Sequence, residues 1–147
     1  MPYQRPTAAE AVINRFIGLL PRIGIGPRYM VLLQVRGRKS GRLYSTPVNR
    51  VDLNGHRYLV APRGDTQWAR NAVASGEVTL VRGLRRETVK LKPLADADKP
   101  PILKTYLDQY ASSVQRYFPV PAGSPLPAFA PLAANYPVFE ISSVITT

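Results

Sequence analysis

The chain contains no cysteine and a single histidine, and only nine Asp and Glu stand against 20 Lys and Arg. Without cysteine there are no disulfides, no thiol nucleophile, no iron–sulfur cluster and few routes to a zinc site. One histidine leaves no histidine-based metal cage, and a Ser-His-Asp triad would have to be built on it alone. That histidine, His56, follows the Asn54-Gly55 turn and reads as a surface residue. Long apolar runs are also missing. In the first 33 residues Glu10, Asn14, Arg15, Pro21, Arg22 and Arg28 interrupt every hydrophobic stretch. A membrane-spanning helix needs about 20 mostly apolar residues, and a signal peptide needs about 7–15 unbroken ones. The expectation is a soluble, cytoplasmic protein. Motifs with a known mechanics are absent too: no HExxH, GxSxG or P-loop occurs. Gly24-Ile25-Gly26-Pro27 fails as a dinucleotide fingerprint, because Pro27 and the missing third glycine spoil the turn and the helix start.

What is present is positive charge. The formal net charge is +11, and fifteen of the basic residues are arginine. Codon bias in a GC-rich genome inflates Arg, Ala and Pro together. Position says more: between Arg22 and Arg63 lie nine basic residues and one acid, Asp52. Arginine holds phosphate and carboxylate bidentately, so an anion is expected to dock there. At 147 residues and 45% hydrophobic content, one globular domain is expected.

Thr7 and Glu10 form a capping box, and Val12, Ile13, Phe16, Ile17 and Leu20 recur at helical spacing. A helix over 8–20 follows, covering the core or touching a membrane surface. Strand patterns occupy 29–35, 43–53, 57–61, 77–82 and 85–94, with hairpin turns at Asn54-Gly55 and Gly83. Val89 and Leu91 alternate with Lys90 and Lys92, so one face of that strand is wet. A short helix, 67–75, is capped by Asp65 or Thr66 and ended by Gly76. Another, about 100–111, starts at Pro100-Pro101, with Asp96 and Asp98 as caps and Leu103, Tyr106, Leu107 and Tyr110 on one face. Six of the 19 residues from Pro119 to Pro137 are proline, a lid or a wrapping arm, and Val138–Ile141 returns as a last strand. The pattern predicts a mainly β (α+β) fold, an antiparallel meander curled into a small barrel with about three packed helices. The segments are 1–28 (helix and arm), 29–94 (barrel core), 95–118 (helix) and 119–147 (arm and last strand).

Two polar constellations stand out. Arg36-Gly37-Arg38-Lys39-Ser40-Gly41-Arg42 joins two strands; its glycines, hydroxyl and four cations suit a phosphate, though a solvated basic hairpin reads the same way. Ala61 to Asn71 runs from a strand end through Gly64 into a helix. Trp68 and Asn71 share a helical face there, as a core tryptophan and a loop tie or as the border of a flat heterocycle. Side chains for acid–base or nucleophilic work are scarce, so an enzyme of this composition would rely on a cofactor.

The ordered set formed by the GRKSG turn, Ser45-Thr46-Pro47-Val48, the glycine turn after the third strand and Trp68-x-x-Asn71 resembles the deazaflavin-dependent nitroreductase and quinone reductase family. That family belongs to the split β-barrel flavin-binding superfamily. The resemblance runs from Leu32 to Arg82 and continues more weakly through Tyr117 and Pro137-Val138-Phe139. It implies a split, FMN-binding-like barrel that binds the 8-hydroxy-5-deazaflavin coenzyme F-420. Arg38, Lys39 and Ser40 would hold the phosphate and the start of the anionic tail. Tyr44 stands where members carry a second basic residue, which leaves Arg36 or Arg42, beside Gly41, for that role. Ser45, Thr46, Pro47, Val48, Ala61, Pro62, Arg63 and Gly64 would border the ring, with Trp68 and Asn71 nearby. A hydride would pass to an enone, quinone or nitro compound, and the proton would come from water or from a tyrosine, with Tyr106, Tyr110 and Tyr117 as the candidates. The superfamily also includes barrels that bind FMN, haem, biliverdin or fatty acids without turnover. A basic nucleic-acid-binding barrel is a remoter reading, since Tyr29, Tyr44 and Tyr58 are too dispersed for a stacking platform. No metal is expected, and the chain would be a monomer or homodimer.

Overall fold

The computed structural model describes residues 30–64 and 66–144. The 8–20 helix with its capping box, and Asp65 as a cap, lie outside these residues. Six antiparallel strands form a closed barrel: β1 (Met30–Arg36), β2 (Leu43–Leu53), β3 (His56–Val60), β4 (Glu77–Arg82), β5 (Arg85–Pro93) and β6 (Val138–Ser143). Their order around the barrel is β1-β2-β3-β6-β5-β4. This corrects the expected meander. The last strand enters between β3 and β5, and β4 returns to pair with β1. The hairpins form where the turn residues demand them: Asn54, Gly55 and Gly83 all take positive φ, at 53°, 80° and 60°.

The barrel interior follows the period-two alternation. Val31, Leu33 and Val35 of β1 meet Leu59, Val89 and Phe139 inside. The first described helix, α1 (Gln67–Ser75), closes one end of this core with Ala69 and Ala72, both fully buried. Gly76 ends it in the left-handed region, φ 74°, and returns its N–H to the Ala72 carbonyl.

A second core lies outside the barrel. The second helix, α2 (Pro100–Val114), buries Ile102, Leu103, Tyr106 and Leu107 against Val51, Val60 and Val138. Pro100 and Pro101 occupy its first turn, where a missing N–H costs nothing. Asp96 and Asp98 do not cap it. They belong to a separate 3-10 turn, and the N-cap is Lys99, a buried cation that donates to Asp96 Oδ1 at 2.8 Å and to the Ala133 carbonyl at 3.1 Å. The proline-rich segment wraps rather than hangs. It forms a 3-10 helix, Leu126–Asn135, that buries Phe129 and Ala133 beside α2. Phe118 stacks on Tyr136 at 4.5 Å, within 9° of parallel.

Candidate functional site

β2 serves two neighbours in turn. Its first half, Leu43–Asn49, pairs only with β1; its second half, Arg50–Leu53, pairs with β3. The barrel splits there, and the free edge of β2 carries Pro47, which has no N–H to leave unpaired. A groove of about 380 Å³ runs along this edge, within the range of small-molecule sites. Ser45, Thr46, Pro47 and Val48 form one wall, Trp68 and Asn71 of α1 form a second, and Tyr106 and Tyr117 reach in from α2 and the turn after it. Pro62 and Arg63 complete the end near the α1 N-terminus.

The basic turn sits at the rim. Asn71, 4% exposed, accepts through Oδ1 from both the backbone N–H of Arg38 (3.0 Å) and its guanidinium Nη1 (2.9 Å). Gln67 Oε1 accepts from the same nitrogen at 2.9 Å. The amide therefore ties the turn to α1 across 33 residues. Inside the turn, Arg36 donates to the Gly41 carbonyl and the Arg42 N–H donates to Ser40 Oγ. A Cβ at Gly37 would lie 2.6 Å from Tyr44 Cε2, so any other residue there requires the exposed Tyr44 ring to move. Lys39 and Arg42 stay exposed.

Not every expected residue borders the groove. Arg36, Arg38, Lys39, Ser40, Gly41 and Arg42 form the rim turn. Ala61 and Gly64 are buried behind it, with the Ala61 N–H bonded to the Pro137 carbonyl. Trp68 packs on the interior core, 5.7 Å from the Phe139 ring, and also lines the groove. Tyr110 donates its hydroxyl to the Arg50 carbonyl. Tyr106 is buried in an aromatic cluster with Tyr110 and Phe118, and burial raises its pKa far above the ordinary phenol value. Tyr117 is half-buried, with the Arg116 guanidinium 4.8 Å from its ring centroid. Its backbone carbonyl is held by the Tyr136 hydroxyl.

Thr66 is a groove residue that sequence reasoning took only for a cap. It occupies the N-cap position of α1 but makes no capping bond. Its Oγ1 is buried and has no hydrogen-bond partner, in a residue 6% exposed that lines the groove. Such orphans are rare in folded proteins and call for an explanation. Ser113 and Val114, also in the lining, lie beyond the expected end of that helix at 111 and were missed for that reason.

Among the described residues no cluster of His, Asp or Glu could hold a metal ion, and no helix is long and apolar enough to cross a membrane. In sequence, the profile of a family described as F420H(2)-dependent quinone reductase matches residues 18–122. No curated protein matches the chain. In structure, a protein described as a domain-swapped dimer aligns over 87% of this chain and 92% of its own, with 20% identity and TM-score 0.55. An F420-H2 dependent reductase aligns over 78% and 95%, with 23% identity and TM-score 0.53. A heme storage protein from Vibrio cholerae aligns over 81% and 84%, with 9% identity and TM-score 0.53. At these identities the structural likeness establishes the fold.

Proposed function

Since the chain belongs to the F420H(2)-dependent quinone reductase family, and is thereby an oxidoreductase, we propose that its groove and basic turn together bind reduced coenzyme F-420 and present it to a small organic acceptor. The observation that carries this reading is the tie between the two parts. Asn71 borders the groove and holds Arg38, so a flat-ring site and a cationic turn form one continuous surface.

The donor set suits the coenzyme. Lys39, Arg42 and the Ser40 hydroxyl offer charge and hydrogen bonds for a phosphate and an anionic tail. Ser45 to Val48 and Trp68 offer flat walls for the ring, and the orphaned Thr66 hydroxyl awaits a polar ring atom. When bound, the reduced deazaflavin is a two-electron hydride donor. This chain's residues then bind, orient and exclude water. Trp68, held against Phe139, fixes one wall in place. Tyr117 covers the open side, its backbone fixed by Tyr136, and its Oη holds the proton that completes the reduction. Tyr106 and Tyr110 support it by packing: one is fully buried and the hydroxyl of the other is engaged. The acceptor class is an enone, quinone or nitro compound, each of which takes up a hydride and a proton.

Parallel fluorescence titrations with oxidised coenzyme F-420 and with FMN test the cofactor, and oxidation of the reduced coenzyme by a quinone tests turnover. Thr66→Val adds a discriminating arm. It removes a hydroxyl that costs stability when unpaired, so the free protein should melt higher. The coenzyme should at the same time bind about fivefold more weakly, the equivalent of one lost hydrogen bond worth about 1 kcal/mol. Tight FMN binding without F-420 binding, or a Thr66→Val protein that binds as tightly as wild type, would overturn the assignment.

A further inference from the structure

Helix α2 breaks at one residue. Tyr110 has φ −118° and ψ 23°, with helix on either side of it. Proline and glycine, the usual causes of a sharp kink, are absent from Leu107 to Ser113. Backbone this close to the bridge region is sparsely populated and persists where the surroundings hold it. Here the hold comes from the barrel. Tyr110 donates its hydroxyl to the Arg50 carbonyl, and its ring centroid lies 5.4 Å from that of buried Tyr106. Arg50 is the residue at which β2 leaves β1 and takes up β3. The break in the helix is therefore pinned to the split in the barrel.

Steps of three and four along a helix lead from Tyr106 through Tyr110 to Ser113 and Val114. Tyr106, Ser113 and Val114 line the groove, whereas Tyr110 does not, because its ring leaves that row to reach β2. Arg116 and Tyr117 continue the lining beyond the break. The far side of this segment is tied to the proline-rich strap. Gln115 donates to the Val120 carbonyl and accepts from the Ala122 N–H, each at 2.8 Å, and the Tyr136 hydroxyl holds the Tyr117 carbonyl. Residues 111–117 thus form one wall, fastened to the strap behind and through Tyr110 to the barrel in front. The wall stands well away from the basic turn. From Leu43, beside that turn, to Arg50, β2 covers about 23 Å at 3.3 Å per residue. A coenzyme whose anionic tail rests on the turn lays its ring along Ser45 to Val48, and the wall faces the end of the groove that remains, with Asn49 and its register partner Met30.

We propose that Tyr110 is a positioning residue for the acceptor, an inference that rests on the reading of the groove as a coenzyme site. Its hydroxyl latches the broken helix to β2 and so sets where Ser113, Val114 and Tyr117 stand over the acceptor end. The coenzyme's own contacts, on the basic turn and α1, lie outside its reach. Loss of the latch lets the wall move as a unit and loosens the seat of the acceptor, while the tail and ring of the coenzyme keep theirs.

The test compares wild type with Tyr110→Phe, which removes the latch and keeps the ring against Tyr106. Trp68 is the chain's single tryptophan and looks into the same groove, so acrylamide quenching of its fluorescence reports the wall without any coenzyme. Quenching should rise in Tyr110→Phe. With 1,4-naphthoquinone as acceptor, KM should rise about fivefold, the counterpart of one lost hydrogen bond, with a smaller change in kcat and a coenzyme dissociation constant within twofold of wild type. Glu87→Gln, which weakens the Arg57 pair at the far end of the barrel, controls for general destabilisation and should leave both quenching and KM at the wild-type values. Unchanged quenching or unchanged KM in Tyr110→Phe would overturn the proposal, as would equal shifts in Glu87→Gln. A wild-type protein that binds no coenzyme would defeat the reading of the groove instead, and the quenching comparison would still decide whether the hydroxyl holds the wall.

Discussion

Removing the Asn71 amide should weaken coenzyme binding without touching the coenzyme's phosphate directly. Asn71 Oδ1 accepts two bonds, one from the Arg38 backbone N–H and one from its guanidinium. A neutral bond of this kind contributes about 0.5–1.5 kcal/mol and one to a charged group about 1.5–3 kcal/mol. Gln67 keeps its own contact with Arg38, and the rim is partly wet, so the lower ends apply and the loss is about 2 kcal/mol. Were all of it felt as disorder in the turn, affinity would fall about thirtyfold; with Gln67 still holding, about tenfold is expected in Asn71→Ala. Asn71→Asp keeps an acceptor oxygen at the same place and should recover most of the melting temperature. Fluorescence titration with the coenzyme at two salt concentrations measures the effect. A double-mutant cycle with Arg38→Ala separates positioning from direct contact: residues that act through one another couple, those that act alone add. Asn71→Ala binding within twofold of wild type, or full additivity with Arg38→Ala, would refute the view that the amide holds the turn in its binding shape.

Lys39→Ala should weaken the coenzyme about tenfold or more, and wild-type affinity should drop as salt rises; a salt-independent dissociation constant would show that the turn is merely solvated. Tyr117→Phe should lower turnover at least tenfold while the coenzyme dissociation constant stays unchanged, measured by stopped-flow oxidation of the reduced coenzyme; full activity would remove Tyr117 from the proton path. Glu87 has its pKa lowered, first by the hydrogen bond from Arg57. A carboxylate with a depressed folded-state pKa contributes stability above its ordinary value, 4.5, and loses it as pH falls through the folded value. Melting temperature should therefore decline more steeply below pH 4.5 in wild type than in Glu87→Gln, and parallel pH curves would deny the pair that role.

Local signals located the elements because each was set by nearby residues. β2 at 43–53, α1 at 67–75 and β4 at 77–82 lie where turn glycines, alternation and helical spacing put them. α2 runs three residues past the expected 111, through a non-helical Tyr110 (φ −118°, ψ 23°) whose hydroxyl is bonded to β2. A tertiary bond of this kind has no local signature. Neither does the insertion of β6 between β3 and β5, which rests on pairing with residues some 50 and 80 positions earlier. The basic turn and the Trp68–Asn71 helix were visible as separate clusters. Their union through Arg38 and Asn71 was not, because a side-chain amide 33 residues away carries no spacing rule.

The arginines had to be read twice. In sequence they are an excess of charge, with codon bias as an equal explanation. The fold sorts them by phase and by end. Arg36, Arg38 and Arg42 gather at the end of the barrel that α1 closes, beside the split in β2. Arg50, Arg57, Arg82 and Arg85 gather at the other end, on the interior side of their strands. Codon bias does not respect strand phase: it would scatter arginine over both faces, most of it outward into water, where it costs least. At that far end Arg50 and Arg57 are each matched by a carboxylate, Asp52 and Glu87. The fold therefore divides these arginines into two groups at opposite ends of one barrel. A test that saw only total charge, such as loss of activity at high salt, would not separate them. Lys39→Ala and Arg85→Glu do: the first should weaken the coenzyme about tenfold or more, and the second, at the far end, should leave coenzyme affinity at the wild-type value.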